Sequence, residues 1–358
     1  MPVPFPFDLD ITRASTIPAR LYNDPVYLDL ERDRVFGRTW QPVARAEQLA
    51  ERGAFVTAEI GNEALVLVRD GEALRGFHNV CLHRAGPVAS GCGRRHTLQC
   101  RYHGWTYDLE GRLVRAPGME GAAGFTPDDF RLLPVQVAAW GPLVFANLDL
   151  KAPPLAHFIE DLPARCARFE IERMRYVMSR EWRIDCNWKV YVDNFLEGYH
   201  VSVVHPGLHR ELDVDRYAVE PHRYYSRQHA PLRPVSPHAT DRKYVPRAGD
   251  EEAHYYWIYP NWMLNIYQGQ LQVNVVLPLD HRTTLVRFDW YALTPPAEGD
   301  ADWARLVDFS YEIQDEDVAI CEAVQRNLRS RLYDRGRYSP TKENGVHHFH
   351  ALLHEALS

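Results

Sequence analysis

Hydrophobic residues in the first part of the chain come in short runs separated by turn signals. Three such runs lie at residues 55–56, 64–68 and 77–80. Asp70 and Gly71 stand between the last two runs, and this pair is a strong signal for a hairpin turn. Short strands joined by tight turns predict a small all-β domain in this part of the chain.

The later part of the chain mixes strand and helix patterns. Hydrophobic residues alternate with other residues over 271–277, the period of two expected of a half-buried strand, and residues 285–291 form a second such run. Residues 187–199 and 301–329 carry helical patterns, and the second of these is long and amphipathic. We therefore expect an α+β architecture in which helices pack on an antiparallel sheet.

A chain of 358 residues exceeds the usual size of a single domain, so two domains are expected. Residues 151–154, Lys-Ala-Pro-Pro, punctuate the chain, and we place a boundary there. The expected division is a lead segment at residues 1–38 that packs on the second domain, a first domain at residues 39–150, and a second domain at residues 151–358.

Charge and composition exclude several classes of function. The formal net charge is −7 and no long Lys/Arg block occurs, so nucleic acid and anionic membranes are poor candidates as partners. No apolar run is long enough to span a bilayer, and the first residues lack the pattern of a secretory signal. The six cysteines are sparse, which favours reduced thiols or metal ligands over disulfides. We expect a cytoplasmic protein.

Four of the candidate metal ligands form two pairs, Cys81-x-His83 and Cys100-x-x-His103. Each pair lies in a tight loop after a strand pattern. Two thiolates and two imidazoles suit a closed tetrahedral zinc site. They equally suit a Rieske 2Fe-2S centre, in which two cysteines hold one iron and two histidines hold the other.

A second group of candidate ligands begins on the helical pattern at residues 187–199. Its polar residues fall at helical spacing, and Glu197 and His200 lie on the same stripe. His205 follows five positions later and precedes Pro206, which disfavours the α conformation for His205. The helix is therefore expected to end between the two histidines, so that the exit turn brings His205 round to face His200.

Two histidines need a carboxylate to complete the facial triad that holds Fe(II) with open positions. The long C-terminal pattern predicts a buried stripe at Leu306, Ile313, Ile320, Val324 and Leu328. Asp317 falls on this stripe, and a carboxylate that faces a core is costly unless it is paired or bound to a metal. Asp315 and Glu316 point to other faces and are expected to be solvated, which leaves Asp317 as the candidate ligand.

Both groups of residues resemble motifs of one known family. The segments CLHRAG (81–86) and CRYHGW (100–105) resemble the two cluster-binding loops of the Rieske non-haem iron oxygenases. NFLEGYH (194–200) with His205-Pro206 resembles their iron-binding helix, and DED (315–317) with Gln325-Arg326 resembles the segment that carries the carboxylate ligand. The resemblance covers roughly residues 20 to 350 and favours a 2Fe-2S cluster over zinc.

The resemblance implies the oxygenase (alpha) subunit of a multicomponent enzyme, with one 2Fe-2S cluster and one mononuclear Fe(II) per subunit. It implies a small all-β Rieske domain and a helix-grip catalytic domain with a curved antiparallel sheet. It also implies a homotrimer, in which Glu197 links His200 to His103 of the next subunit and carries electrons between them. A separate NAD(P)H-dependent flavin or iron–sulfur reductase would supply the electrons, and Asn194 would help to position O2.

Most of the family has Asp where this chain has Glu197, and Glu is typical of the branch that oxidises quaternary ammonium compounds. We therefore expect hydroxylation of a small organic substrate, with N-demethylation of a betaine-like compound as one outcome and oxidation of an aromatic acid as the alternative. The aromatic stretch at residues 255–262 is either a strand that packs one face or a wall of the substrate pocket. In the second case Trp257, Tyr259 and Asn265 would contact the substrate, and aromatic faces would suit a methylated ammonium group.

Two functions of other classes fit parts of the sequence. A Rieske electron carrier would share the cluster loops, but the chain is much too long for one. A non-enzymatic helix-grip ligand carrier would need no second iron, and His200, His205 and Asp317 argue against it. The histidines at 347, 348, 350 and 354 are interpreted as a helix surface or a subunit contact.

Overall fold

A computed structural model describes residues 5–234, 243, 251–267 and 269–358. The chain falls into two compact units, one formed by residues 32–158 and the other by residues up to 31 together with residues 159–358. We call them the inserted unit and the two-segment unit, because the first interrupts the second along the chain. Residues 1–4, on which the expectation about an export signal partly depends, lie outside the described residues.

The first stretch of the two-segment unit is held by a buried ion pair. It contains α1 (Arg20–Asn23) and most of α2 (Pro25–Arg34), which carries Glu31. Lys189 Nζ lies 2.6 Å from Glu31 Oε1, both side chains are fully buried, and Trp188 Nε1 donates to Glu31 Oε2 at 2.7 Å. Burial raises the pKa of Glu31 and lowers that of Lys189, and each charge offsets the burial cost of the other. This stretch therefore belongs to the unit that contains Lys189.

The inserted unit is built from β-strands. These strands are β1 (Gln41–Arg45), β2 (Ala54–Ile60), β3 (Glu63–Asp70), β4 (Ala73–His78), β5 (Cys92–Arg94), β6 (Leu98–Gln99), β7 (Thr106–Tyr107), β8 (Leu113–Arg115), β9 (Pro134–Trp140) and β10 (Leu143–Asn147), with α3 (Leu155–Phe158) at the end. One seven-stranded sheet has the order β1-β10-β9-β4-β3-β2-β5, and a three-stranded sheet has the order β6-β7-β8. Gly71, at φ 59°, turns the predicted β3–β4 hairpin.

The second stretch of the two-segment unit supplies a seven-stranded antiparallel sheet, in the order β11-β17-β16-β15-β14-β13-β12. Its strands are β11 (Arg175–Ile184), β12 (Ala218–Pro221), β13 (Tyr225–Pro231), β14 (Glu252–Ile258), β15 (Trp262–Tyr267), β16 (Gln270–Pro278) and β17 (Thr284–Ala292). Its helices are α4 (Leu162–Cys166), α5 (Trp188–Phe195), α6 (Val201–Val204), α7 (Pro206–Glu211), α8 (Ala301–Asn327) and α9 (Asn344–Leu357). Within the described residues, no helix combines the length and the apolar character needed to cross a membrane.

The predicted fold class is confirmed: a small β unit and a unit in which helices pack on an antiparallel sheet. The two predicted strands are β16 and β17, and the long predicted helix is α8. The buried stripe predicted for α8 is partly wrong, because Ile320 and Val324 are 36% and 41% exposed. The helix instead buries Gln314 and Gln325, which hydrogen-bond to Tyr191 and to the backbone of α5's N-cap residue. A pattern of hydrophobic residues could not reveal this buried face of α8, because glutamine side chains make these contacts.

Candidate metal centres

Two loops of the inserted unit carry the first four candidate ligands. We call them the first cluster loop (residues 81–86) and the second cluster loop (residues 100–105). In each loop the N–H of the cysteine donates to the carbonyl five residues later, at 2.9 Å. The carbonyl of each cysteine accepts the N–H of the residue four positions later, Ala85 or Gly104, at 2.9 and 3.0 Å. Both of these residues have positive φ, 57° and 77°, so the two loops share one backbone design.

The cysteines lie deep in this unit and the histidines lie nearer its surface. Cys81 and Cys100 are 1% and 2% exposed, His83 is half-buried and His103 is exposed. The ring centroids of the two histidines are 4.6 Å apart, and the His83 ring stacks on Trp105 at 4.9 Å. Paired thiols inside and paired imidazoles outside match a cluster with one cysteine-bound iron and one histidine-bound iron.

The four ligand atoms do not gather round a single point. A tetrahedral zinc ion would hold its sulfur and nitrogen ligands within about 4 Å of one another. Among the described residues, two groups have three ligand atoms within 4.8 Å of one another. One is His200 with His205 and Asp317, and the other is formed by residues 160, 161 and 222, of which the first two are exposed. The spread of the cluster-loop ligands therefore fits two irons and not one zinc ion.

The surroundings of the thiols also fit a cluster. A Cβ placed on Gly86 would lie 2.8 Å from Cys100 Sγ, so the first cluster loop can approach this sulfur only with glycine there. Burial and the neighbouring Cys81 raise the pKa of the Cys100 thiol. Bound iron would supply the positive charge that holds both sulfurs as thiolates. The Tyr107 hydroxyl lies 3.4 Å from Cys81 Sγ, and hydrogen bonds to sulfur are among the factors that set cluster potentials.

The second candidate centre lies in the two-segment unit. His200 Nε2 is 3.1 Å from His205 Nε2, which is 3.0 Å from Asp317 Oδ1, and the third side of the triangle measures 3.8 Å. An ion about 2.1 Å from three ligands at right angles separates them by about 3 Å. The structure thus brings together the three residues that the sequence singled out, in a spacing that suits a facial triad.

α5 is shorter than the predicted helix. It begins after Asn187, whose side chain accepts the N–H of Lys189 at 3.1 Å, and it ends at Phe195, before His200. The expectation of a helix that runs on to His200 is therefore wrong. Beyond the helix, the Glu197 carboxylate accepts the backbone N–H of His200 at 3.0 Å and that of the residue before it. The side chain thus takes hydrogen bonds that a continued helix would have made with its own carbonyls.

A glycine and a short helix complete this turn. A Cβ on Gly198 would fall 2.5 Å from the ring of Tyr217, so the close approach of the ring requires glycine. α6 then separates the two histidines, and Pro206 begins α7 directly after His205. His205 adopts φ −116° and ψ 76°, outside the α region as expected of a residue before proline.

Two glutamates orient the histidine rings. His200 Nδ1 is 2.7 Å from Glu197 Oε1, and His205 Nδ1 is 2.7 Å from Glu316 Oε2. A carboxylate only accepts, so each Nδ1 carries a hydrogen, and Nε2 is the nitrogen of each ring that is left to bind a metal. Both Nε2 atoms converge with an oxygen of Asp317, which is the donor set that a divalent cation binds. The residues present therefore fit a mononuclear Fe(II).

Glu316 corrects the expectation that this residue is solvated. Its side chain is 29% exposed and reaches His205, whereas the neighbouring Asp315 is exposed as expected. Burial of His205 opposes its charged form, but hydrogen bonds to Asp317 and Glu316 outweigh that effect and raise its pKa. Asn194 contributes from α5 by donating to Asp317 Oδ1 at 2.5 Å. No sequence signal distinguished Glu316, because its role depends on how α8 packs against α7.

A cavity of about 90 Å³ opens beside the triad. Aromatic side chains that line it are Tyr191, Phe195, Tyr217, Tyr255, Tyr267 and Phe288. Uncharged polar side chains that line it are Asn194, Asn265, Gln272, Asn274, Ser310 and Gln314. The substrate-contact residues predicted from the sequence are thus divided: Asn265 lines this cavity, whereas Trp257 and Tyr259 do not.

Trp257 and Tyr259 correct the predicted pocket wall. Trp257 is fully buried, donates to the carbonyl of Pro260 at 3.1 Å and packs against Phe349 of α9 at 5.4 Å between ring centroids. Tyr259 packs against the same ring at 6.5 Å. The stretch at residues 255–262 therefore combines the two predicted roles: Tyr255 lines the cavity, and Trp257 and Tyr259 pack in the core against α9.

The C-terminal histidines are more buried than expected. His350 is 1% exposed, with Nε2 2.9 Å from Asp193 Oδ1 and Nδ1 2.7 Å from the Tyr338 hydroxyl. Burial lowers the pKa of His348 to about 4. The interpretation of this cluster as a helix surface is therefore wrong for His350, which ties α9 to α5 through Asp193.

Comparison with known families matches both units. The family described as the ring hydroxylating alpha subunit (catalytic domain) matches residues 171–358, and the Rieske [2Fe-2S] domain family matches residues 39–132. The first match covers more than half of the chain and includes the triad. The second includes all four ligands of the cluster loops.

Individual relatives span nearly the whole chain. Choline monooxygenase from chloroplasts of Arabidopsis thaliana is 37% identical, with 98% of this chain and 84% of the relative covered. The carnitine monooxygenase oxygenase subunit of Escherichia coli (strain K12) is 34% identical, over 95% of this chain and 93% of the relative. A solved quaternary ammonium Rieske monooxygenase has a TM-score of 0.88 at 27% identity, with 99% and 100% covered. Naphthalene 1,2-dioxygenase from Rhodococcus sp. shares the fold, with a TM-score of 0.75 at 21% identity and 96% and 94% covered.

Proposed function

We propose that this chain, which belongs to the Rieske non-haem iron oxygenase family, hydroxylates a carbon of a small quaternary or tertiary N-methyl compound. The observation that carries the proposal is the cavity beside the triad, which is lined by aromatic rings and by the carboxylates of Glu197 and Asp317. Aromatic faces and negative charge both attract a methylated ammonium cation. The names of the relatives, choline monooxygenase and carnitine monooxygenase, support the same class of substrate.

When bound, the cluster supplies electrons one at a time and the Fe(II) offers open positions for O2. The reaction uses O2, two electrons and two protons, places one oxygen atom on the substrate carbon and releases the other as water. Hydroxylation of an N-methyl carbon gives an N-hydroxymethyl group, which leaves as formaldehyde and yields the demethylated amine and a proton. Aromatic side chains of the cavity would hold the ammonium group, and Asn194 would hold Asp317 in place beside the O2 site.

In this proposal residues 39–150 form the electron-transfer domain and residues 151–358 the catalytic domain, with the lead segment packed on the latter. The oxygenase is a cytoplasmic homotrimer, and a separate NAD(P)H-dependent flavin or iron–sulfur reductase supplies its electrons. Electrons pass from the cluster of one subunit to the triad of the next through Glu197. Two features support this route: Glu197 already holds His200 Nδ1 at 2.7 Å, and the cluster ligand His103 is exposed on its loop.

The function is tested with the iron-loaded oxygenase and a matching reductase. Oxygen uptake and formaldehyde release are measured with N-methyl cations and, separately, with aromatic acids. Substrate-dependent oxygen uptake with the cations supports the proposal. Uptake only with aromatic acids would instead support the aromatic-acid alternative, and a reducible cluster without oxygen uptake on any substrate would support an electron carrier.

The electron route is tested with mixed trimers. One set of subunits carries Glu197→Gln and the other carries His83→Ala, so that neither set alone has a complete route. In mixed rings some intact Glu197 residues would face an intact neighbouring cluster, and partial turnover should return. No recovery in demonstrated mixed trimers would place electron flow within one chain.

A further inference from the structure

We infer that the cavity selects, within the class of N-methyl cations, substrates whose far end is uncharged, and that it disfavours betaines that carry a carboxylate. The inference rests on the proposed function and narrows its substrate to an ammonium alcohol of the choline type. It follows from the charges around the cavity and from the hydrogen-bonding state of its polar wall.

The described side chains that line the cavity include no lysine or arginine that could receive a carboxylate. Lys243 does not line the cavity and is already paired: its Nζ lies 2.7 Å from Glu312 Oε2 and 4.8 Å from the ring centroid of Phe309. A carboxylate that is taken out of water without a paired cation loses far more free energy than a hydroxyl does.

The charges that are present act against a carboxylate as well. Asp317, Glu197 and Glu316 surround the two histidines, at the distances given above. Three carboxylates carry three negative charges and a bound Fe(II) two positive charges, which leaves one negative charge over the site. This charge attracts an ammonium group and repels an anionic group on the same substrate.

The polar wall of the cavity is made of neutral groups with unused hydrogen-bonding capacity. Asn265 donates to Gln272, which donates to Ser310, at 3.0 and 2.7 Å. The side-chain oxygens of Asn265 and Asn274 have no partner in the described protein, although these residues are only 8% and 2% exposed. A buried polar atom without a partner is costly, and because both residues line the cavity, these two oxygens are available to a bound group. A hydroxyl group can donate to an amide oxygen, and a carboxylate cannot.

These observations assign a different part of the cavity to each end of the substrate. The aromatic side chains bind the methylated ammonium group, and the amide oxygens of Asn265 and Asn274 in the polar wall accept a hydrogen bond from a neutral hydroxyl group. The substrate is therefore an N-methylated amino alcohol, and the same cation with a carboxylate in place of the hydroxyl binds poorly. Affinity for the two kinds of compound should differ by at least about tenfold.

The test compares compounds that differ only in charge. Affinities of the iron-loaded oxygenase are measured by calorimetry for γ-butyrobetaine and for its carboxamide, which has the same shape without the negative charge. Choline is measured beside them, and oxygen uptake is recorded for all three. The inference expects choline and the carboxamide to bind at least about tenfold more tightly than γ-butyrobetaine.

Failure of the inference can be told apart from failure of the proposed function. If γ-butyrobetaine binds as tightly as its carboxamide and both support oxygen uptake, the function stands and the inference is overturned. If none of the three compounds binds or supports uptake, the proposed function fails and takes the inference with it.

A variant gives the reverse experiment. Asn265→Lys places a cation in the polar wall of the cavity and should raise the affinity for γ-butyrobetaine relative to its carboxamide by about tenfold. The matched control is Asn327→Lys, which adds the same charge at an exposed position of α8 and should leave the ratio unchanged. Equal ratios in a folded, iron-loaded Asn265→Lys protein and its control would overturn the inference. If that variant fails to fold, the comparison on the unaltered protein still decides.

Discussion

Glu316 offers a direct test of how the mononuclear site is built, because nothing in the sequence singled it out. Its carboxylate holds Nδ1 of His205 at 2.7 Å and so fixes the ring with Nε2 toward the other two ligands. Glu316→Ala removes this acceptor while keeping a good helix former in α8. We expect Fe(II) to bind more weakly and the cluster to be unaffected.

The size of the effect can be worked from the structure. His205 is 2% exposed, so its Nδ1–H would lose its acceptor inside the protein, at a cost of about 1–3 kcal/mol. Loss of groups that orient metal-bound histidines typically weakens metal binding about 10–100-fold, which equals about 1.4–2.8 kcal/mol. The Glu316 side chain is 29% exposed, so water can partly replace it. We therefore expect a loss nearer to tenfold than to a hundredfold.

The assay follows the transfer of Fe(II) from the oxygenase to a colorimetric chelator, with cluster absorbance as an internal measure of intact protein. Asp315→Ala is the matched control, because it removes an exposed carboxylate at the preceding position of the same helix. Unchanged iron affinity in Glu316→Ala would refute the role assigned to this residue. So would an equal loss in Asp315→Ala, since the effect would then come from general charge and not from the contact with His205.

Three further substitutions test other parts of the structure. Asp317→Ala should abolish turnover and leave the visible spectrum of the cluster intact; substantial oxygen uptake in this variant would exclude Asp317 as a ligand. Glu197→Gln keeps an acceptor for the ring of His200, so both metals and substrate binding should persist while most turnover is lost, and a normal rate of cluster reoxidation would contradict the proposed bridge. Lys189→Met leaves Glu31 buried without its partner and should lower the free energy of unfolding by about 3–5 kcal/mol in urea denaturation; a loss below about 1 kcal/mol would mean that Glu31 is buried uncharged.

The residues that meet at the two centres could be predicted where their chemistry is local in sequence. The cluster loops carry cysteine and histidine at fixed short spacing. The neighbouring Gly86 allows close approach to Cys100 Sγ, and Trp105 packs against the ring of His83. His205 before Pro206 likewise predicts a turn from covalent geometry alone. Asp317 was predictable because it lies four positions after Ile313 on the stripe of α8 that was expected to be buried.

The end of α5 and the role of Glu316 could not be predicted in this way. α5 ends at Phe195 because the Glu197 side chain accepts backbone N–H groups and because the ring of Tyr217 fills the space beside Gly198. Tyr217 lies outside the helical pattern at residues 187–199, so that pattern could not reveal its effect. Glu316 meets His205 through the packing of α8, which periodicity places only within a broad face. Both features depend on contacts between elements.

The aromatic stretch was misjudged for a related reason. Tyr255 and Trp257 are two positions apart on β14 and point to the same face of the sheet. Only the first lies over the cavity, since Phe349 of α9 packs against the second. An alternating pattern predicts which side chains of a strand share one face of the sheet. It does not predict which helix covers each of them, because that helix lies in another part of the sequence.

The insertion of residues 32–158 into the two-segment unit sets an order for events on the ribosome. The inserted unit is continuous, so it can fold as soon as it has been synthesised. Glu31 is synthesised first, but its partner Lys189 follows 158 positions later. The first stretch therefore stays exposed to solvent until the inserted unit and the start of the second stretch have been synthesised. During that interval the early helices are open to proteases and chaperones. A gene that starts at residue 159 would therefore produce the catalytic sheet with Lys189 facing a vacant core position, and such a fragment should accumulate poorly in cells.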